Sequence, residues 1–169
     1  APLAVLATGH SANDTYDILL NREVTLVPKA FAMGVRIEHP QPLIDKIQYG
    51  GYAGHAALGA APYQLRRTVE GVGTFSFCMC PGGFMVASTT AANHVVVNGM
   101  SPSKRNSPYA NSGVVVSIAG EQFHGAPRAA LEYQRQLERR AFEVGGGQYR
   151  APAQRVTDFL NDKNSSTLP

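Results

Sequence analysis

Phe31-Ala32-Met33-Gly34-Val35-Arg36-Ile37-Glu38-His39-Pro40 is the stretch from which the fold is read. Its residues alternate. Phe31, Met33, Val35 and Ile37 share one face, and Ala32, Gly34, Arg36 and Glu38 share the other. Period-2 alternation is the mark of a strand with one buried face. Pro40 and Pro42 stop it, because proline cannot donate to a sheet ladder.

Around this strand the chain reads as a mixture of strands and helices. Residues 3–7 are a short apolar run expected to form a strand, broken by Thr8-Gly9-His10. Ser11 is placed to cap a helix by accepting the amide hydrogen of Asp14. Ala12, Tyr16, Leu19 and Leu20 then fall on one helical face up to about Asn21. Residues 24–27 read as a short strand, 43–48 as one or two helical turns, and the Gly/Ala-rich 49–62 as an irregular loop. Runs at 63–68, 73–80, 83–88 and 94–98, separated by turns such as Glu70-Gly71 and Pro81-Gly82, predict an antiparallel meander. Residues 111–119 are a further strand candidate. The clearest helix is 127–144: Pro127 suits the first helical position, Ala130, Tyr133, Leu137, Ala141 and Val144 form its apolar stripe, and Gly145-Gly146-Gly147 ends it. A shorter helix is expected at 152–160, followed by a polar tail. The fold class is therefore α+β, a mostly antiparallel sheet with helices packed on one face.

Composition narrows the function. A length of 169 residues is enough for a real core. No apolar run approaches the roughly 18 residues of a membrane span. The net charge of +3 is mild, and with no Trp and no basic-aromatic stripe nucleic-acid binding is not expected. Two cysteines make no disulfide framework, so reduced thiols and a cytoplasmic location are the expectation.

The segment richest in chemistry is Phe75-Ser76-Phe77-Cys78-Met79-Cys80-Pro81-Gly82-Gly83. On a regular strand Cys78 and Cys80 project from the same face. Pro81-Gly82-Gly83 permits a sharp turn and close approach of backbone to a ligand. The pair has two readings: thiols facing a redox centre or substrate, or two small thiols packed in a core. A Cys-x-Cys pair without two further ligands is not a zinc site. The histidines, His10, His39, His55, His94 and His124, show no metal-binding spacing, so no metal is expected. Arg36 is a candidate for binding a polar substrate, or a partner for Glu38 on the same strand face. Asn98-Gly99-Met100-Ser101 and Asn111-Ser112 are turn-capable segments that offer amide and hydroxyl groups, with Asn98 and Ser101 as substrate-binding candidates. There is no Gly-x-Gly-x-x-Gly and no phosphate loop.

Several stretches together resemble the uncharacterised bacterial FAD-dependent dehydrogenases, or NAD(P)/FAD-dependent oxidoreductases. They are Val5-Leu6-Ala7-Thr8-Gly9-His10-Ser11, the strand Phe31 to Pro40, Ile47-Gln48-Tyr49-Gly50-Gly51-Tyr52, Phe75 to Gly83, Asn98-Gly99-Met100-Ser101 and Ala151-Pro152-Ala153-Gln154. The resemblance implies a Rossmann-type FAD domain with a substrate-side domain inserted into it. This chain then reads as an excised piece. Residues 1–22 close the FAD domain, 23–160 form the inserted domain, and 161–169 lead back. Autonomous FAD binding is not expected, since no phosphate loop lies within the chain.

The implied cofactor is FAD, with NAD(P)H as an electron donor. The implied partners are a small-molecule substrate and the FAD-binding domain of the same protein. Geranylgeranyl reductase-like enzymes carry an aromatic-rich strand ending in proline beside the flavin. By that analogy Cys78 and Cys80 are catalytic candidates, and Gly9, Pro81, Gly82 and Gly83 are cofactor-binding candidates. Two rival readings remain: a thiol-redox or metal module built on Cys78 and Cys80, and a non-catalytic interaction domain.

Overall fold

The computed structural model describes residues 3–9, 11–166 and 168. His10 lies outside the described residues. The chain divides into two compact units, one from residues 29–88 and 97–122, the other from 1–28, 89–96 and 123–169.

The first unit is organised by the opening stretch. Strand β1 (Phe31–Pro40) pairs antiparallel along its whole length with β6 (Tyr109–Ile118), from Phe31 opposite Ile118 to Pro40 opposite Tyr109. Strand β3 (Val72–Cys80) takes the other edge of β6, and β2 (Arg66–Val69) pairs with β3, giving the order β1-β6-β3-β2. The β2–β3 hairpin turns through Glu70-Gly71, both at positive φ, the backbone that matches the twist of its strands. Strands β4 (Phe84–Ser88) and β5 (Val96–Met100) form a separate two-stranded sheet. The expected meander is thus corrected. β2–β3 and β4–β5 each pair in sequence order, but in separate sheets, and the last strand inserts between β1 and β3. Alternation fixes which face a strand buries, but not which strand it pairs with.

Helix α2 (Gln41–Tyr49) starts directly after β1, with Pro42 in its first turn. A short 3-10 turn at Gly50–Tyr52 follows it, and the loop beyond is irregular as expected. Ile44 of α2 is buried with Ala61 and Ala110, flanked by Tyr49, Tyr63 and Met79. Burying a side chain the size of Ile44 contributes about 1.5–3 kcal/mol.

Gln41 is the polar pin of this core. Its Nε2 donates to Asp45 Oδ1 at 2.7 Å and to the Ala61 carbonyl at 3.1 Å, and its Oε1 accepts the Gly82 N–H at 2.7 Å. One buried amide thereby ties helix, loop and the turn after β3. The apolar face read for β1 holds in part: Phe31, Met33 and Ile37 are half-buried, but Val35 is 72% exposed and Arg36 turns inward instead.

The second unit contains helices α1 (Asn13–Asn21), α3 (Pro127–Val144) and α4 (Val156–Leu160). Asp17 of α1 receives Arg135 at 3.0 Å and Arg128 at 3.6 Å, both from α3. Helix α3 runs as the sequence predicts, from Pro127 to the Gly145 stop. Four expectations in this unit are corrected. Residues 3–7 and 24–27 form no strand, and Leu3, Val5, Leu6 and Val27 are exposed; a strand forms only where a neighbour meets its backbone groups, and none pairs with them here. Ser11 does not cap α1 with its hydroxyl; its carbonyl accepts the Asn13 N–H, and Ala12 occupies the cap position. The last helix starts at Val156, because Gln154 and Arg155 bond to Lys163 and Ser165 instead. The α+β class, with a mostly antiparallel sheet and a few helices, is as expected. No helix among the described residues is long and apolar enough to cross a membrane.

Candidate functional site

A polar cluster forms where β1, β6 and the end of β3 meet. Arg36 on β1 sits opposite Gly113, so its side chain reaches diagonally to Asn111, two residues along β6. Arg36 Nη1 donates to Asn111 Oδ1 at 2.6 Å and to the Cys78 carbonyl at 3.1 Å. The expected pairing with Glu38 does not form. Among the described residues no carboxylate pairs with this guanidinium, so its charge is neutralised by dipoles alone.

Asn111 and Ser112 open the strand candidate 111–119 and also read as a turn-capable pair; the strand reading is the one the structure bears out. They lie inside β6, both fully buried. Ser112 Oγ donates to the Gly113 carbonyl at 3.0 Å and the Phe77 carbonyl at 3.3 Å. Asn111 spends its oxygen on Arg36, while its Nδ2 has no partner among the described residues; His39 Nε2 is likewise buried without one there. Tyr63, just ahead of β2, stacks at a tilt on His39 with ring centroids 5.5 Å apart. Burial raises the Tyr63 hydroxyl above its ordinary value, against the opposing pull of a Ser112 hydrogen bond and the Arg36 charge. Burial also lowers the His39 imidazole. Tyr63 therefore stays a hydroxyl donor and His39 a neutral ring at pH 7.

The two thiols sit in unlike environments. The β3–β6 register shifts between Phe77 and Cys80, and Cys78 sits at φ +49°. This bulge breaks the alternation on which the same-face expectation rested. Cys78 is exposed and Cys80 is buried. The Cys80 thiol donates to the Cys78 carbonyl at 3.4 Å. Burial pushes the Cys80 thiol up, the neighbouring Cys78 adds to this, and the Arg36 guanidinium pulls partly back.

Gly99 of β5 closes over this cluster. A Cβ there would lie 2.3 Å from Arg36 Nη1 and from Asn111 Oδ1, and 2.7 Å from Cys80 Sγ. The Pro81-Gly82-Gly83 turn is buried, and its close approach is to the chain itself. Gly82 takes φ +52°, and a Cβ on it would meet the Arg105 carbonyl at 1.9 Å. The Gly82 N–H bonds Gln41, the Gly83 N–H bonds the Tyr109 carbonyl at 2.9 Å, and the Pro81 carbonyl accepts Ser101 Oγ at 2.8 Å.

The structure thus brings Arg36, Cys78 and Cys80 together and sets Ser101 against the adjoining turn. Asn98 is exposed and bonds Ser88 at 3.0 Å, while Gly9 belongs to the other unit, exposed at φ +81°. Asn111 and Gly99 belong to segments that the sequence reading singled out; Tyr63 was not singled out, and His39 was read only as a histidine without metal-binding spacing. An open apolar groove elsewhere in the same unit is lined by Tyr49, Tyr52, His55 and Leu58, none of them in the cluster. No group of three or more His, Cys, Asp or Glu among the described residues is placed to hold a metal ion. An uncompensated guanidinium, a protonated phenol and a buried amide N–H suit an anionic or carbonyl-rich group, with an exposed thiol at its edge.

The chain is 48% identical over 167 residues to an uncharacterized protein of Clostridium beijerinckii, covering 97% of this chain and 31% of that protein. It therefore spans about a third of the relative's length. The family model described as FAD-dependent protein, C-terminal domain-like matches residues 30–169, so the chain belongs to that family.

Proposed function

We propose that this chain is the substrate-side domain of an FAD-dependent oxidoreductase, with the Arg36 cluster beside the isoalloxazine ring. The observation that carries the reading is the half-buried Arg36, which has no carboxylate partner among the described residues, in a chain of an FAD-dependent family. The residues fit the cofactor's chemistry. Arg36 and the orphaned Nδ2 of Asn111 are donors without a competing anion, the set that a flavin pyrimidine edge or an anionic substrate requires.

When bound, the flavin supplies hydride or electron transfer. The chain's own residues orient and shield. Arg36 holds negative charge at the site, Tyr63 keeps a proton to donate, and the fixed Asn111 oxygen keeps Arg36 in place. Cys78 presents its thiol at the rim. Pro81, Gly82 and Gly83 contribute shape, since the N–H groups of both glycines are already bonded. Asn98 and Ser101 lie on the substrate side.

The test is the visible spectrum after gel filtration of the protein carried out to the length of its Clostridium relative. Bound yellow flavin is expected, and none on the 169-residue chain alone. A colourless long protein that still fails to take up added FAD refutes the reading.

A further inference from the structure

The bulge in β3 gives two neighbouring cysteines opposite environments. Cys78 is exposed, whereas Cys80 is buried under Gly99 with its sulfur held toward the Cys78 carbonyl. The Cys80 sulfur lies 3.4 Å from the Cys78 carbonyl, and the Cys78 side chain is among the groups that act on the Cys80 thiol. Two residues along an extended chain span at most about 7 Å between Cα atoms, the outer limit for a disulfide. The chain has no other cysteine.

We propose that Cys78 and Cys80 are a thiol–disulfide exchange pair, in which Cys78 attacks an exposed disulfide and Cys80 resolves the mixed disulfide. In the first step the Cys78 thiolate attacks one sulfur of a disulfide RSSR; its S–S bond breaks, one RS⁻ leaves, and a Cys78–SR bond forms. In the second, the Cys80 thiolate attacks Cys78 Sγ, that S–S bond breaks, and the second RS⁻ leaves. The dithiol is oxidised to an intramolecular disulfide and the substrate is reduced by the same two electrons. The two thiol protons pass to the released thiolates. Exposure selects Cys78 as the attacking sulfur, and burial shields Cys80 from substrate while leaving it beside its partner.

The electrostatics favour this order. Before attack, burial and the Cys78 thiol hold Cys80 protonated. Once Cys78 is capped, its charge no longer opposes ionisation of Cys80. The pull of Arg36 remains, so the resolving thiolate becomes easier to form when it is needed. The exchange requires no flavin, and its failure leaves the FAD reading intact.

The experiment treats the native protein with excess dithiobis-nitrobenzoate, an aromatic disulfide that releases a coloured thiol, and follows release and intact mass. The expected result is two coloured thiols per chain. The second release is independent of reagent concentration, and the product is lighter than the starting chain by two hydrogen atoms. Cys80→Ser is expected to release one and retain one reagent group, and Cys78→Ser to release none on the same timescale. A wild-type product carrying one or two reagent groups, or an unreacted chain, overturns the proposal, and so does a Cys78→Ser variant that reacts as fast as wild type. The wild-type mass alone decides the matter if a variant does not fold.

Discussion

Replacing Gly99 by alanine is expected to destabilise the protein by an amount that the cluster geometry sets. The added methyl would lie 2.3 Å from Arg36 Nη1 and Asn111 Oδ1 and 2.7 Å from Cys80 Sγ. The guanidinium is the far end of a flexible side chain and can swing away, but only by giving up its 2.6 Å bond to Asn111. Asn111 and Cys80 are short and buried, with nowhere to retreat. Overpacking of this kind costs about 1–3 kcal/mol. A lost hydrogen bond to a charged group costs roughly 1.5–3 kcal/mol more.

Because the swing relieves part of the clash, the two costs do not simply add. The expected loss is about 2–4 kcal/mol. For a chain of this size that lowers Tm by on the order of 5–15 °C. The assay is thermal and urea unfolding beside Gly59→Ala, where an added Cβ meets nothing within 4 Å. The control is expected to stay within about 1 kcal/mol of wild type. A Gly99→Ala variant that melts with the control refutes the close approach of β5 to the cluster.

Other outcomes follow from the same geometry. Gln41→Ala leaves the Ala61 carbonyl and the Gly82 N–H without their buried partner, which costs about 2–4 kcal/mol, read as a drop in urea midpoint. His39 has a folded-state value below its unfolded one, so the unfolded chain binds the proton first. Its contribution to stability is full above about pH 6.5 and is lost as pH falls below that, and His39→Gln flattens that part of a stability–pH curve. Tyr63 is shifted the other way: its folded state holds the proton longer, so its contribution is lost as pH rises above about 10, and Tyr63→Phe removes that alkaline slope.

The elements that a single local pattern decides were legible in the sequence. The strand from Phe31 to Pro40 and the bounds of the helix Pro127–Val144 appear as read, although Val35 on the strand and Tyr133, Leu137 and Val144 of the helix stripe are exposed. What failed depended on partners distant in the chain. Residues 24–27 have strand composition but nothing to pair with, and β6 enters between β1 and β3, a choice that no short window contains. Within the site, Arg36, Cys78 and Cys80 were legible as residue types. Their relation was not, because it turns on one backbone angle at Cys78, where a regular strand was assumed. Asn111 and Ser112 read both as the start of a strand and, on propensity, as a turn-capable pair. Tertiary context decides for the strand: Arg36 gives the Asn111 oxygen a buried partner, and two carbonyls do the same for the Ser112 hydroxyl.

The most direct test of the central claim is the reduction potential of the flavin in the protein carried out to the length of its Clostridium relative, wild type against Arg36→Met. A cation beside the ring favours the more negatively charged reduced form. Removing it is predicted to shift the potential to a more negative value while the flavin stays bound. Equal potentials in the two proteins would contradict the placement of Arg36 at the cofactor.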